Sequence, residues 1–138
     1  RAGGNLISFY PYILAAEQGF DDNLSSIADA VAYARKLGPM LAGIPGVVTN
    51  PATPQSAMFH LHINRDRDAL ARAITDYAER HDVIVLPKPR AIDENGHGIC
   101  EISVGRSTME HPPEFWLAHL RAALADAASS QTDSTAGD

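Results

Sequence analysis

The stretch Ser56-Ala57-Met58-Phe59-His60-Leu61-His62-Ile63 constrains this chain more than any other. Side chains alternate along a β-strand, so Phe59, Leu61 and Ile63 point one way and Met58, His60 and His62 the other. One face is oily and needs a core. The other carries two imidazoles and is expected to face a cleft, a partner or solvent. The pattern predicts a central strand, roughly Ala57 to Ile63, around which the fold is built.

Upstream, Ser8 is the expected N-cap of a first helix, about Phe9 to Gln18, with Pro11 in its first turn and Gly19 as its stop. Asp21-Asp22-Asn23 is a capping cluster for a second helix, in which Leu24, Ile27, Val31, Ala34 and Leu37 recur at helical spacing. Gly38-Pro39 is expected to kink or break it before a last turn through Leu41. Gly43-Ile44-Pro45-Gly46 reads as a turn, Val47-Val48-Thr49 as a short strand and Asn50 to Gln55 as a loop.

Downstream, Asn64 or Asp66 caps a helix running to Arg80 or His81, with Leu70, Ile74 and Tyr77 inward. Val83-Ile84-Val85-Leu86 is an unbroken apolar run that predicts a buried strand. Pro87 to His97 is then a long loop. Gly98 to Val104 is a strand with Cys100, Ile102 and Val104 on one side and Ile99, Glu101 and Ser103 on the other. Gly105 to His111 is a second loop. Pro112-Pro113 opens a last helix whose apolar positions are Phe115, Trp116, Leu120 and Leu124. From Ala127 the composition turns small and polar, as in a disordered tail.

The expected fold class is α+β: a small antiparallel sheet of about four strands with helices mainly on one face, preceded by two N-terminal helices. Residues 1–42 form a helical lead-in, 47–126 an α/β sandwich and 127–138 the tail. The part from Val47 onward has the look of a ferredoxin-like split unit.

Composition excludes some functions. The 138 residues suit one domain, and the net charge of −6 offers no basic footprint for nucleic acid or an anionic membrane. No apolar run is long enough to span a bilayer, and no signal-peptide pattern is present. Cys100 is the single cysteine, which rules out an internal disulfide and makes a reducing cytoplasm the expected location. The chain opens Arg1-Ala2-Gly3-Gly4 without a methionine, and the expectation is a piece of a longer protein.

Several side chains invite chemistry. His60 and His62 are two neutral imidazoles on one strand face, a spacing that chelates Zn²⁺ or Cu²⁺ if His97, His111, Glu101 or Cys100 completes the set. Strand histidine pairs are more often hydrogen-bonded pocket or interface residues. Pro87-Lys88-Pro89-Arg90 puts two cations on a stiffened loop, suited to a carboxylate or phosphate held by Arg90 with Lys88 helping. A solvated loop whose prolines end a strand explains the same residues. Gly105-Arg106-Ser107-Thr108 lies between strand and helix, where free N–H groups suit an anion, but it lacks the P-loop spacing. Lys36 sits on an amphipathic helix as a surface residue.

Gly3 to Ala16, the turn Ala42-Gly43-Ile44-Pro45-Gly46-Val47, the strand Ala57-Met58-Phe59-His60-Leu61-His62 and Glu101-Ile102-Ser103-Val104-Gly105 together resemble threonine aldolase and β-eliminating lyase-like enzymes. These are pyridoxal-phosphate enzymes of the aspartate aminotransferase fold type. The resemblance covers about Arg1 to Ala125. It implies a C-terminal small domain forming one wall of the active site, with the cofactor domain and its Schiff-base lysine before Arg1, and a homo-oligomeric parent. Neither Lys36 nor Lys88 matches the family's lysine, so the resemblance implies no catalysis and no bound cofactor for this piece alone. Two family arginines, for the cofactor phosphate and the substrate carboxylate, match Ile7 and Glu101 here. Arg90 or Arg106 is the candidate replacement cation. The other readings are a stand-alone ferredoxin-like module that binds a ligand or partner, and a metal-binding domain built on His60 and His62.

Overall fold

The computed structural model describes residues 9–132. It opens with one helix of 33 residues, α1 (Tyr10–Ala42), where the sequence suggests two. Gly19 does not stop it and the Asp21-Asp22-Asn23 cluster does not cap a new one. Asn23 and Ser26 instead hydrogen-bond to carbonyls one turn back, at Gly19 and Asn23. Pro11 lies in the first turn, as expected, while the expected cap Ser8 lies outside the described residues. The core-facing side begins only at Ala30 and continues through Ala34, Leu37, Gly38 and Leu41. Before it, Tyr10, Ile13, Leu24 and Ile27 are all exposed.

Gly38-Pro39 does not end α1 either. A Cβ on Gly38 would sit 2.8 Å from Pro54 Cγ and 3.2 Å from Thr49 Cγ2. The glycine therefore lets the helix lie against the first strand, β1 (Val47–Asn50). The buried Thr49 hydroxyl donates to the Gly38 carbonyl at 2.8 Å and closes that contact without leaving a polar atom unpaired.

The organising strand is β2 (Met58–Ile63), antiparallel to β1. Phe59, Leu61 and Ile63 are at most 2% exposed, while Met58 and His60 are exposed and His62 is half-buried. Helix α2 (Arg67–His81) follows, with Asp66 Oδ1 accepting from the N–H groups of Asp68 and Ala69. Its buried face is Leu70, Ala73, Ile74 and Tyr77.

The predicted strand at Val83–Leu86 is not formed. Only Leu86 enters the core and Ile84 is 76% exposed, so the apolar run is an extended loop with one anchor. The predicted loop holds instead the two-residue strand β3 (Ala91–Ile92), which pairs with β4 (Gly98–Ser103). Its brevity has a local origin. Ala91 faces Ile99, but the Arg90 N–H also donates to the Ile99 carbonyl, so the pairing is already irregular one residue before the strand, and Pro89 and Pro87 lie just beyond. Neither proline has an N–H to donate, so the ladder stops.

The sheet order is β1-β2-β4-β3, antiparallel throughout. A ferredoxin-like split unit needs a parallel βαβ pair, and the central pair here, β2 with β4, is antiparallel. That part of the expectation is corrected; the α+β class and the four-stranded antiparallel sheet stand. Cys100, Ile102 and Val104 join the core, as the alternation predicts. A short helix α3 (Arg106–Met109) occupies part of the expected second loop. Helix α4 (Pro113–Thr132) then buries Leu120 and Ala123. Its backbone continues past Ala127, where the composition suggests a tail; residues 133–138 lie outside the described part.

Candidate functional site

The buried strand residues and the helices share one side of the sheet, which leaves Val48, Met58, His60, His62, Ile99 and Glu101 on the other. On that open side the register sets His60 opposite Glu101 and His62 opposite Ile99. His60 Nε2 lies 3.8 Å from Glu101 Oε2, both side chains being well exposed. His62 Nδ1 lies 3.4 Å from Asp93 Oδ2, and His97 Nδ1 lies 3.1 Å from the same oxygen. The two strand histidines thus have separate carboxylate partners. Among the described residues, no group of three or more His, Cys, Asp or Glu side chains is arranged to hold a metal ion. His111 stacks on Phe115 instead, with ring centroids 4.1 Å apart, and Cys100 is buried on the opposite face of the sheet.

Asp93 is the residue that sequence reasoning misses. Its Oδ1 accepts from the N–H groups of Asn95 and His97, both at 2.9 Å, and so builds the turn that joins β3 to β4. Gly96 takes the left-handed conformation there (φ 81°). Desolvation pushes the Asp93 carboxyl up, but the His97 and Asn95 amides, the His62 imidazole and the His97 charge outweigh it and hold it below the ordinary carboxylate value. The available signal is Asp93-Glu94-Asn95-Gly96, an Asp three residues before a turn glycine.

At the far edge of the sheet lies a cavity of about 390 Å³, lined by Arg90, Glu101 and Ser103 and walled by apolar groups that include Leu41, Leu86, Trp116 and Leu120. It lies beside β4, just before the short β3. In β4, the main chain of Gly98 and Val104 turns toward the β2 side, bonding Arg65 and Ala57, whereas the Ile99 carbonyl accepts from the Arg90 N–H on the β3 side. Alternation then aims the N–H and C=O of Glu101 and Ser103 toward the β3 side, where no strand meets them. Trp116 is fixed by its indole N–H donating to the Thr108 carbonyl at 3.0 Å, and Tyr33 by its hydroxyl donating to the His111 carbonyl at 2.6 Å. Burial raises the Tyr33 phenol above its ordinary pKa, chiefly by desolvation.

The three cations that the sequence singles out part company. Arg90 is exposed, lines the cavity and makes no side-chain hydrogen bond or ion pair among the described residues. Arg106 donates to the Asp22 carbonyl at 3.0 Å and lies 3.5 Å from Asn23 Oδ1, which ties α3 to α1. Lys88 lines a different hollow, beside Glu79 and Asp82. Neither Lys88 nor Lys36 lines the 390 Å³ cavity.

No model of a known protein family matches the chain, and no curated protein does. Solved structures do. A protein from Exiguobacterium sp. 255-15, described as an aromatic amino acid β-eliminating lyase/threonine aldolase, superposes with a TM-score of 0.72 at 31% identity, over 88% of this chain and 34% of that one. An L-allo-threonine aldolase from Listeria monocytogenes EGD-E gives 0.72 at 29% identity, over the same shares. The chain spans about a third of the length of these relatives. It is a structural match to threonine aldolase/β-eliminating lyase chains over that third, as the C-terminal domain of such a protein would be.

Proposed function

We propose that the chain is the small C-terminal domain of a pyridoxal-phosphate-dependent amino-acid lyase and forms one wall of its active site. The observation that carries this is the superposition on threonine aldolase-type chains over 88% of the length of this one. The sheet supports it, because its uncovered face carries His60, His62 and Glu101 rather than a second layer of helices. Arg90 is the side chain suited to a substrate carboxylate, since it lines the cavity and has no partner within the described residues.

The cofactor is a different matter. Neither lysine of the chain lines the cavity, so this domain supplies no Schiff-base nitrogen there, and the residues present do not fit the cofactor itself. The lysine and the cofactor site are assigned to the parent's other domain, and residues 1–138 alone are expected to be inactive.

The test is to purify the complete protein and measure bound pyridoxal phosphate and amino-acid cleavage. The expected result is cofactor in the whole protein and none on residues 1–138. Replacing Arg90 with Ala should raise KM by about tenfold or more, the value of a charge-assisted hydrogen bond. A whole protein without cofactor overturns the lyase reading. An unchanged KM removes Arg90 from the carboxylate role.

A further inference from the structure

We propose that the first half of α1 is a docking helix, whose apolar stripe of Phe20, Leu24 and Ile27 seats in a groove of the parent's other domain flanked by basic side chains. This deepens the lyase reading and rests on it for the existence of that domain.

The stripe is a product of helical spacing. Phe20, Leu24, Ile27 and Val31 recur every three or four residues and so share one side of α1, and Ile13, seven residues before Phe20, extends the same line. Phe20 is 63% exposed, Leu24 52% and Ile27 54%. Contiguous apolar surface of this kind marks an interaction site.

The same helix meets its own domain along a different line. Arg106 reaches the Asp22 carbonyl and Asn23, Ser26 is half-buried, and Ala30 begins the core. At about 100° per residue, the line through Asn23, Ser26 and Ala30 lies roughly a quarter-turn from the stripe. The first half of α1 is therefore two-sided: small and polar where it touches this domain, large and apolar where it touches nothing within the described residues.

Length and charge select the occupant. From Tyr10 to the first core residue, Ala30, the helix runs about 30 Å, the width of a small domain rather than of a short peptide. The chain spans about a third of the length of the structures it matches, so a parent of that kind has a body of ample size to cover it. Between Tyr10 and Ala34 the helix carries Glu17, Asp21, Asp22 and Asp29 and no lysine or arginine. Arg35, the next basic residue, donates to the Pro54 carbonyl. A second α1 laid on the stripe would bring four more carboxylates and no cation, and an anionic membrane would be repelled as well. The complementary surface is an apolar groove with basic margins.

The experiment compares the complete protein with residues 1–138 by hydrogen–deuterium exchange. The amides of residues 12–29 should exchange at least about tenfold more slowly in the complete protein, because half a helix without tertiary packing opens readily in water. Equal exchange in the two overturns the proposal. A Phe20→Gln/Leu24→Gln variant keeps helix propensity while removing the apolar groups. It should lower the Tm of the complete protein by at least about 4 °C and leave that of residues 1–138 within about 1 °C. An equal shift in both, or none in either, overturns the docking role. Light scattering that finds the stripe holding two copies of residues 1–138 together, with no added protection of residues 12–29 in the complete protein, assigns it to self-association instead. Sedimentation of the complete protein with phosphatidylserine vesicles, lost in the double variant, assigns it to a membrane. Either result refutes the proposal. If the complete protein contains cofactor while residues 12–29 exchange freely, the docking fails and the lyase reading stands. If those amides are protected and no cofactor is present, the reverse holds.

Discussion

Two glycines of one helix should respond to alanine with opposite signs. Gly19 lies in the first half of α1, and a Cβ there meets nothing within 4 Å. Alanine is worth about 0.8–1.0 kcal/mol over glycine in a helix interior, so Gly19→Ala should stabilise by up to about 1 kcal/mol. Gly38 gains the same intrinsic term, but its Cβ would stand 2.8 and 3.0 Å from Pro54 Cγ and Cδ. The Pro54 ring is fully buried and bonded back to its own main chain, so it cannot rotate away as a long side chain would. Overpacking of this kind costs about 1–3 kcal/mol and outweighs the propensity gain. Parting α1 from β1 also strains the 2.8 Å bond from Thr49 to the Gly38 carbonyl. The net expectation for Gly38→Ala is a loss of about 1 kcal/mol, which for a chain of this size lowers Tm by roughly 3–4 °C. Urea titration followed by far-UV circular dichroism measures both variants. If Gly38→Ala stabilises the protein as much as Gly19→Ala does, the close approach of α1 to β1 is wrong.

Burial raises the Cys100 thiol to about 11, by desolvation, and the side chain is wholly inaccessible. It should resist a thiol reagent at neutral pH in the native state and react fully in urea; rapid native labelling would contradict its place in the core. Asp93 is held below the ordinary carboxylate value, so its contribution to stability is present above the unfolded value and is lost as pH falls through the lowered one. The amide resonances of Asn95 and His97 should therefore shift together at acid pH, below the range of an ordinary aspartate. Asp93→Asn should abolish that joint titration, and independent or unshifted amides would refute the turn's carboxylate anchor.

What the sequence discloses here depends on how local each interaction is. The faces of β2 and β4 are legible because a period of two sorts Phe59, Leu61 and Ile63 from His60 and His62 with no knowledge of the fold. Asp66 is legible as a cap because its targets are two and three residues away. Other features need partners that sequence distance hides. Arg106 looks like a free loop cation until its contact with Asp22, 84 residues earlier, is seen. Gly38 looks like a breaker because the reason for a glycine there lies on Pro54 and Thr49. Val83–Leu86 has strand composition, but hydrogen-bond register and not composition decides whether a strand joins a sheet. The two histidine partnerships, with Glu101 and with Asp93, follow from the pairing of β2 with β4 and from the turn after β3. No spacing within the chain announces either one.

Pro87 and Pro89 carry a consequence for association between molecules. A long bare strand edge recruits further strands from other chains. Here the unpaired edge is only as long as Glu101–Ser103, because β3 covers one end and α3 closes the other. Two prolines beside it deny a zippering neighbour an easy lead-in. Substituting both with threonine would supply the absent donors and let β3 lengthen beside Glu101–Ser103. The same change would offer a neighbouring molecule a longer strand edge, so two absent amide protons help keep this sheet to four strands.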